Sequence, residues 1–350
     1  MDVFEAAKSV IPPSGTVLEE ARARQLRLTK PPYSLGRLED IANRLSAICG
    51  VVPPPIPSRP ALAIFAGDHG VLASGISPWP AEVTAQMVYN FLAGGAAVNV
   101  LSRRFGIDVK VVDMGVAADL DPAPGLIDKK IAKGTSNLAT GPAMTREQAR
   151  AAVAAGFEVA NELADAGHDI LLIGDMGIGN TTPSAALVSY FCDLDASAVT
   201  GRGTGIDDDR HAAKVAIVAA SVERARARVT DPIDVLGEIG GFEHGGIAGF
   251  IIGAAFRGVP VVLDGVIANA SALVAQSICP ASIGYAFAGH ISREPGAIRA
   301  LSKLGLDPVV DLNLALGEGT GAALSFATIA AAAALLGEMA TFDEAGVTEK

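Results

Sequence analysis

The sequence predicts an α/β fold in which a parallel sheet is covered by helices on both faces. Three observations carry that expectation. From Pro60 onward, short apolar runs alternate with stretches of helix length. The runs are apolar nearly throughout rather than at every second position, as strands buried on both faces require. Each run also ends on glycine or polar residues, as in Gly67-Asp68-His69 and Gly174-Asp175. That edge of an open parallel sheet is where a ligand crevice forms.

In chain order, residues 1–50 read as helical, with helices at 17–26 and 35–48. Between them Pro31 and Pro32 stop one helix before the next begins. Residues 51–60 carry five prolines and form a connector, so the N-terminal helices read as a separate layer or small subdomain. The expected strands are 61–65, 109–113, 170–173, 259–263 and 284–288, which together make a Rossmann-like parallel sheet. Helices are expected at 81–102, 146–166, 182–191, 209–228 and 247–256. The stretch 319–337 has 19 residues and no charge. It is rich in alanine and glycine, so its drive to insert into a bilayer is weak, and a buried helix is expected.

Thirty-eight acidic and 27 basic residues leave a net charge of −11. Duplex DNA and anionic membranes both select clustered Lys and Arg, so neither is an expected partner. Cys49, Cys192 and Cys279 are far apart and form no CxxC pair, which supports neither a disulfide framework nor a cysteine zinc site. The first five residues lack the basic and apolar pattern of a secretory leader, and a cytoplasmic protein is expected. No metal or cofactor is expected.

Three glycine-rich loops carry the candidate chemistry. The first, Gly174-Asp175-Met176-Gly177-Ile178-Gly179-Asn180-Thr181-Thr182-Pro183, leaves a strand and opens a helix. Its glycines allow a tight turn and the helix amides can hold an anion, although a purely structural turn has the same pattern. The second, beginning Gly201-Arg202-Gly203, leads into a helix that Asp207 or Asp208 can cap. Lys214 on the first turns of that helix can reach a bound phosphate or simply stand in solvent. In the third, Leu316-Gly317-Glu318-Gly319-Thr320-Gly321, Glu318 sits between uncharged stretches. Desolvation there raises a carboxyl pKa toward that of a useful general base; the alternative role is a charge favoured by the helix dipole. Asp68-His69 can be a metal pair, a proton relay or a loop brace, and no second histidine at ligand spacing supports metal. Ser292 and Arg293 can touch a phosphate, or Arg293 can pair with Glu294. Trp79 can stack on a flat ring, with Gln86 and Met87 beyond it, or pack in the core.

Taken together, these motifs resemble the nicotinate-nucleotide–dimethylbenzimidazole phosphoribosyltransferase family. The resemblance is carried by Leu28-Thr29-Lys30-Pro31 with Ser34-Leu35-Gly36-Arg37-Leu38-Glu39, by Gly67-Asp68-His69-Gly70-Val71, and by Val83-Thr84-Ala85-Gln86-Met87-Val88. Val112-Asp113-Met114-Gly115-Val116, Gly134-Thr135-Ser136-Asn137, Gly241-Phe242-Glu243, Leu263-Asp264-Gly265 and the three glycine loops extend it from about residue 28 to residue 324. It implies a large α/β catalytic domain (61–325) and a small helical domain built from the chain ends (1–60 and 326–350), assembled as a homodimer. It also implies transfer of phosphoribose from nicotinate mononucleotide to a benzimidazole-type base in the assembly of the cobalamin nucleotide loop. By the same resemblance Glu318 is the general base. Ser77, Trp79, Gln86, Met87 and Leu316 serve the base pocket, and Asp175, Gly177, Gly179, Asn180, Gly203, Lys214 and Ser292 the phosphate and ribose. Trp79 stands where the family usually carries tyrosine, and Asp175 where many members carry glutamate.

Two other functions fit the fold class. An NAD-dependent dehydrogenase needs GxGxxG in the first strand-helix turn, where this chain has Ala66-Gly67-Asp68-His69-Gly70. A small-molecule sensor could keep the pocket, but a buried Glu318 would serve it no purpose.

Overall fold

The computed structural model describes residues 2–203 and 205–348; Thr204, within the second glycine loop, lies outside them. Seven strands form one sheet: β1 (Pro60–Gly67), β2 (Asp108–Gly115), β3 (Leu126–Asp128), β4 (Ile170–Met176), β5 (Val261–Leu263), β6 (Ala286–His290) and β7 (Pro308–Val310). Their order is β3-β2-β1-β4-β5-β6-β7 and every pairing is parallel. The chain moves outward from β1 to β3, then returns to the far side of β1 with β4. The order therefore reverses between β1 and β4, and a crevice opens at the carboxyl ends beside that point.

All eight residues of β1 are buried, because alternate side chains enter two different cores. Ala61, Ala63 and Phe65 pack with the helices Arg146–Asp165, Thr181–Cys192, Phe242–Phe256 and Val266–Ile278. Leu62, Ile64 and Ala66 pack with Arg37–Cys49, Glu82–Leu92, Ala97–Phe105 and Thr320–Glu338. The accessible surface is 13691 Å², close to the about 13,000 Å² expected of a folded monomer of this mass.

The apolar stretch near the C-terminus is the helix Thr320–Glu338, long and apolar enough to cross a membrane, with a mean hydropathy of 1.7. Phe326, Ile329, Ala333 and Leu336 are buried in the second core. The N-terminal helices pack beside it: Arg24 Nε donates to Leu336 O at 2.9 Å, and Leu28 bridges to Thr341. Below the Pro31-Pro32 turn, Lys30 Nζ lies 2.6 Å from Glu39 Oε1, with both side chains buried.

The expected helix at 81–102 is two helices, Glu82–Leu92 and Ala97–Phe105, with Gly94 at φ +77 between them. The expected strand at 284–288 is β6, which starts at Ala286 because Pro280–Tyr285 winds into a 3-10 turn. The edge strands β3 and β7 and the helices Pro232–Ile239, Val266–Ile278 and Pro295–Leu304 were not expected.

Candidate active site

Strand β4 delivers the first glycine loop to the crevice. Asp175, its penultimate residue, is buried, and its Oδ2 accepts a hydrogen bond from Asn180 Nδ2 at 2.9 Å. Burial pushes Asp175 up to about 8. The negative charge of Asp264 adds to the rise, Asn180 opposes it, and Glu243 and Glu318 contribute further. Gly177 is confined: a Cβ there would overlap Gly67 O at the end of β1, so only glycine lets the loop lie this close. The helix Thr181–Cys192 follows at once, and its first two residues, Thr181 and Thr182, line the crevice.

The second glycine loop packs beside the start of that helix. Lys214, on the helix Asp208–Arg228, is buried and donates from Nζ to Thr181 Oγ1 at 2.8 Å and to Gly201 O at 3.1 Å. Burial lowers it to about 8, against the pull of Glu294. Glu294 turns inward and accepts from Gly203 N at 2.9 Å, while Arg293 is exposed. Ser292 Oγ accepts from Glu294 N at 3.3 Å.

The third loop lies across the top of β4. Asp264, at the end of β5, accepts from Gly319 N at 3.1 Å, Gly321 N at 2.7 Å and Ala322 N at 3.0 Å. It thereby caps the helix Thr320–Glu338 and fixes the turn that carries Glu318. Glu318 has φ +65 and is only 8% exposed, so the acid is turned away from open water. Its backbone oxygen presses on Gly174, where a Cβ would overlap it. Burial raises the Glu318 carboxyl, the Val98 N–H opposes this, and the Asp264 charge adds to it. A Cβ at Gly317 would stand 3.8 Å from both Asp175 oxygens, so the two acids flank one glycine.

The cleft, about 850 Å³ including its open mouth, brings together Ser77, Asp175, Gly177, Gly179, Asn180, Gly203, Lys214, Ser292 and Leu316. Leu316 is 57% exposed at the rim. Glu318 stands just behind Gly317, outside this lining. Trp79, Gln86 and Met87 do not line it either. Trp79 and Gln86 are exposed, and Met87 is half-buried against the second core. His290 and Glu294 line the cleft without having been expected there. The signal was present in the polar ends of β5 and β6, but nothing in it tied Asp264 to a loop 55 residues away. Asp175 Oδ1, Thr182 Oγ1, His290 Nε2 and Glu318 Oε2 are buried without a hydrogen-bond partner. Buried polar atoms seldom stay unpaired, and three of these four belong to residues that line the cleft, Asp175, Thr182 and His290, as a polar ligand site requires. Among the described residues no group of three or more His, Cys, Asp and Glu is placed to hold a metal ion.

A phosphoribosyltransferase family model matches residues 10–347. The nicotinate-nucleotide–dimethylbenzimidazole phosphoribosyltransferase of Salinispora tropica is 52% identical over 340 residues, 93% of each chain. That of Chloroflexus aurantiacus is 49% identical over the full length of both. The chain belongs to the nicotinate-nucleotide–dimethylbenzimidazole phosphoribosyltransferase family. The crystal structure of CobT from Thermus thermophilus agrees, with a TM-score of 0.93 and 46% identity over 96% of this chain and all of that one. Membership in this family of cobalamin biosynthesis makes the chain a phosphoribosyltransferase.

Proposed function

We propose that this transferase moves the 5-phosphoribosyl group from nicotinate mononucleotide to 5,6-dimethylbenzimidazole, giving α-ribazole 5′-phosphate and nicotinate. The observation that carries the reading is Glu318: a buried carboxyl with an unpartnered oxygen, held behind Gly317 and next to a cleft lined by Lys214 and the start of the helix Thr181–Cys192. Lys214 and the N–H of Thr181, which opens the helix, receive the phosphate. Asp175 and Asn180 face the ribose, Gly177, Gly179 and Gly203 let backbone approach it, and Ser292 completes the phosphate side. The flat base lies toward Ser77, Leu316, Gln86 and Met87, with Trp79 at the entrance.

The unprotonated benzimidazole nitrogen attacks C1′ on the face opposite nicotinate. The C1′–N bond to nicotinate breaks, and its electron pair returns to the pyridinium nitrogen, which leaves neutral. The proton on the other benzimidazole nitrogen passes to Glu318. Attack from the opposite face converts the β-linked substrate into an α-linked product. Positive charge that builds at C1′ is stabilised by carboxylate nearby. No pyrophosphate departs, so the chemistry creates no polyanionic leaving group to neutralise. The proposal includes a homodimer, read by sedimentation.

An acceptor panel tests the reading. Incubation with nicotinate mononucleotide and dimethylbenzimidazole, a purine or a phenol should give nicotinate and a product of the α-ribazole phosphate mass and α configuration with the benzimidazole. A β product, or no nicotinate release with any base, contradicts it.

A further inference from the structure

Behind the cleft lies a buried polar cluster to which the proposed reaction assigns no role. His69 Nε2 and His244 Nδ1 each lie 2.8 Å from the same oxygen, Oε1, of Glu243. All three side chains are fully buried. Glu243 opens the helix Phe242–Phe256, where the helix dipole favours its charge. The two imidazoles hold it well below the usual carboxylate range in spite of its burial. Burial works against a charge on His69, but Glu243 and then Asp68 outweigh it and raise its pKa.

Both imidazoles reach the back of the first glycine loop. A Cβ at Gly177 would stand 3.3 Å from His69 Nε2. His244 Nε2 lies 2.8 Å from Ser184 Oγ, in the first turn of the helix Thr181–Cys192. Ser184 Oγ donates to Asn180 O at 2.8 Å, so it accepts from the N–H at His244 Nε2. Asn180 in turn donates to Asp175 at 2.9 Å. One unbroken line of contacts therefore runs from Glu243 through His244 to the carboxyl that faces the cleft, with His69 filling the space beside Gly177.

We propose that His244 and His69, both held on one oxygen of Glu243, are positioning residues that seat the Asp175–Thr182 loop and thereby set affinity for the phosphoribosyl nucleotide. The proposal rests on the transferase reading for the identity of its probe, nicotinate mononucleotide. The line from the cluster ends at Asn180 and Asp175, which the proposed reaction places on the nucleotide side, so its loss should be felt in nucleotide binding and not in binding of the acceptor base. A displacement of an ångström in positioning groups costs up to about 10²-fold, and a partial loosening should cost about tenfold.

The test compares Ser184→Ala, His244→Ala and His244→Gln in the full-length protein. KM is measured for both substrates, and nicotinate mononucleotide binding is measured separately by calorimetry. Ser184→Ala and His244→Ala should each raise the nucleotide KM and Kd about tenfold, with the KM for the base unchanged. His244→Gln, whose amide places an N–H near Nε2, should restore most of the affinity. If His244→Ala does not fold, Ser184→Ala removes only one oxygen and His244→Gln keeps the donor, so the comparison still decides. Equal rises in both KM values, unchanged nucleotide Kd in Ser184→Ala, or no rescue by glutamine overturns the proposal. Wild-type protein that binds the nucleotide tightly but releases no nicotinate contradicts the transferase reading and leaves the positioning role to be read from Kd alone.

Discussion

Asp175 shows how strongly one side chain here depends on its surroundings. Its carboxyl moves from an ordinary 3.8 to about 8, chiefly through burial and then through the charge of Asp264. Between those values the folded chain keeps a proton that the unfolded chain has lost. The stability contributed by this group is therefore largest below pH 3.8 relative to high pH, and declines as pH rises toward and through 8. Asp175→Asn should remove that decline: melting temperatures of the variant should fall less than those of the wild type between about pH 5 and 9. Parallel curves would mean that Asp175 is ionised in the fold. Asn180 can donate to an asparagine oxygen as it does to the carboxyl, so the loop is retained. The acid was legible in the sequence as a polar residue at a strand end. The rise in its pKa was not, because Asp264, Glu243 and Glu318 meet it only through folding.

At the scale of elements, the three glycine loops were readable because each combines conformational freedom with an adjoining helix. Their mutual placement was not. Lys214 is an instance: its sequence context fits a solvated lysine equally well, yet the structure buries it between Thr181 Oγ1 and Gly201 O. Burial lowers it to about 8, so its charge is the one in this cleft that alkaline pH removes most readily. Lys214→Ala should raise the KM for the nucleotide about tenfold or more and leave that for the base within about twofold, as removal of a charged hydrogen-bond donor from one subsite would. In the wild type, nucleotide affinity should weaken as pH rises through about 8. Equal effects on both substrates would place Lys214 outside the phosphate subsite. The helix Val266–Ile278 was missed for a different reason. Its first ten residues are all buried and it carries no charged residue, so it lacks the charged face that marks a surface helix.

For the molecule as a whole, the parallel sheet could be read from central strands whose residues are apolar on both faces. The edges escaped notice because β3 and β7 have three residues each and, unlike β5, are not fully buried, so neither leaves a marked apolar run. The break at Gly94-Gly95 was hidden by apolar spacing that continues on both sides. The chain ends meet through the helix Thr320–Glu338, and the buried Lys30–Glu39 pair braces the turn before the helix Arg37–Cys49. Removal of one member of a buried pair costs about 3–5 kcal/mol, so Glu39→Ala should lower unfolding stability in urea by that order. It should leave both KM values unchanged, since the pair is remote from the cleft lining. A variant as stable as the wild type would show that the turn holds without it.

Nicotinate release in single-turnover experiments across pH tests most directly whether Glu318 takes the proton. In the wild type the rate should fall with decreasing pH through a value above that of an ordinary glutamate, because burial raises this carboxyl and only its ionised form accepts a proton. Glu318→Gln should bind nicotinate mononucleotide normally, react roughly 10²-fold more slowly or worse, and lose that acid limb. A glutamine variant with wild-type rate and an unchanged pH profile would show that the proton goes elsewhere.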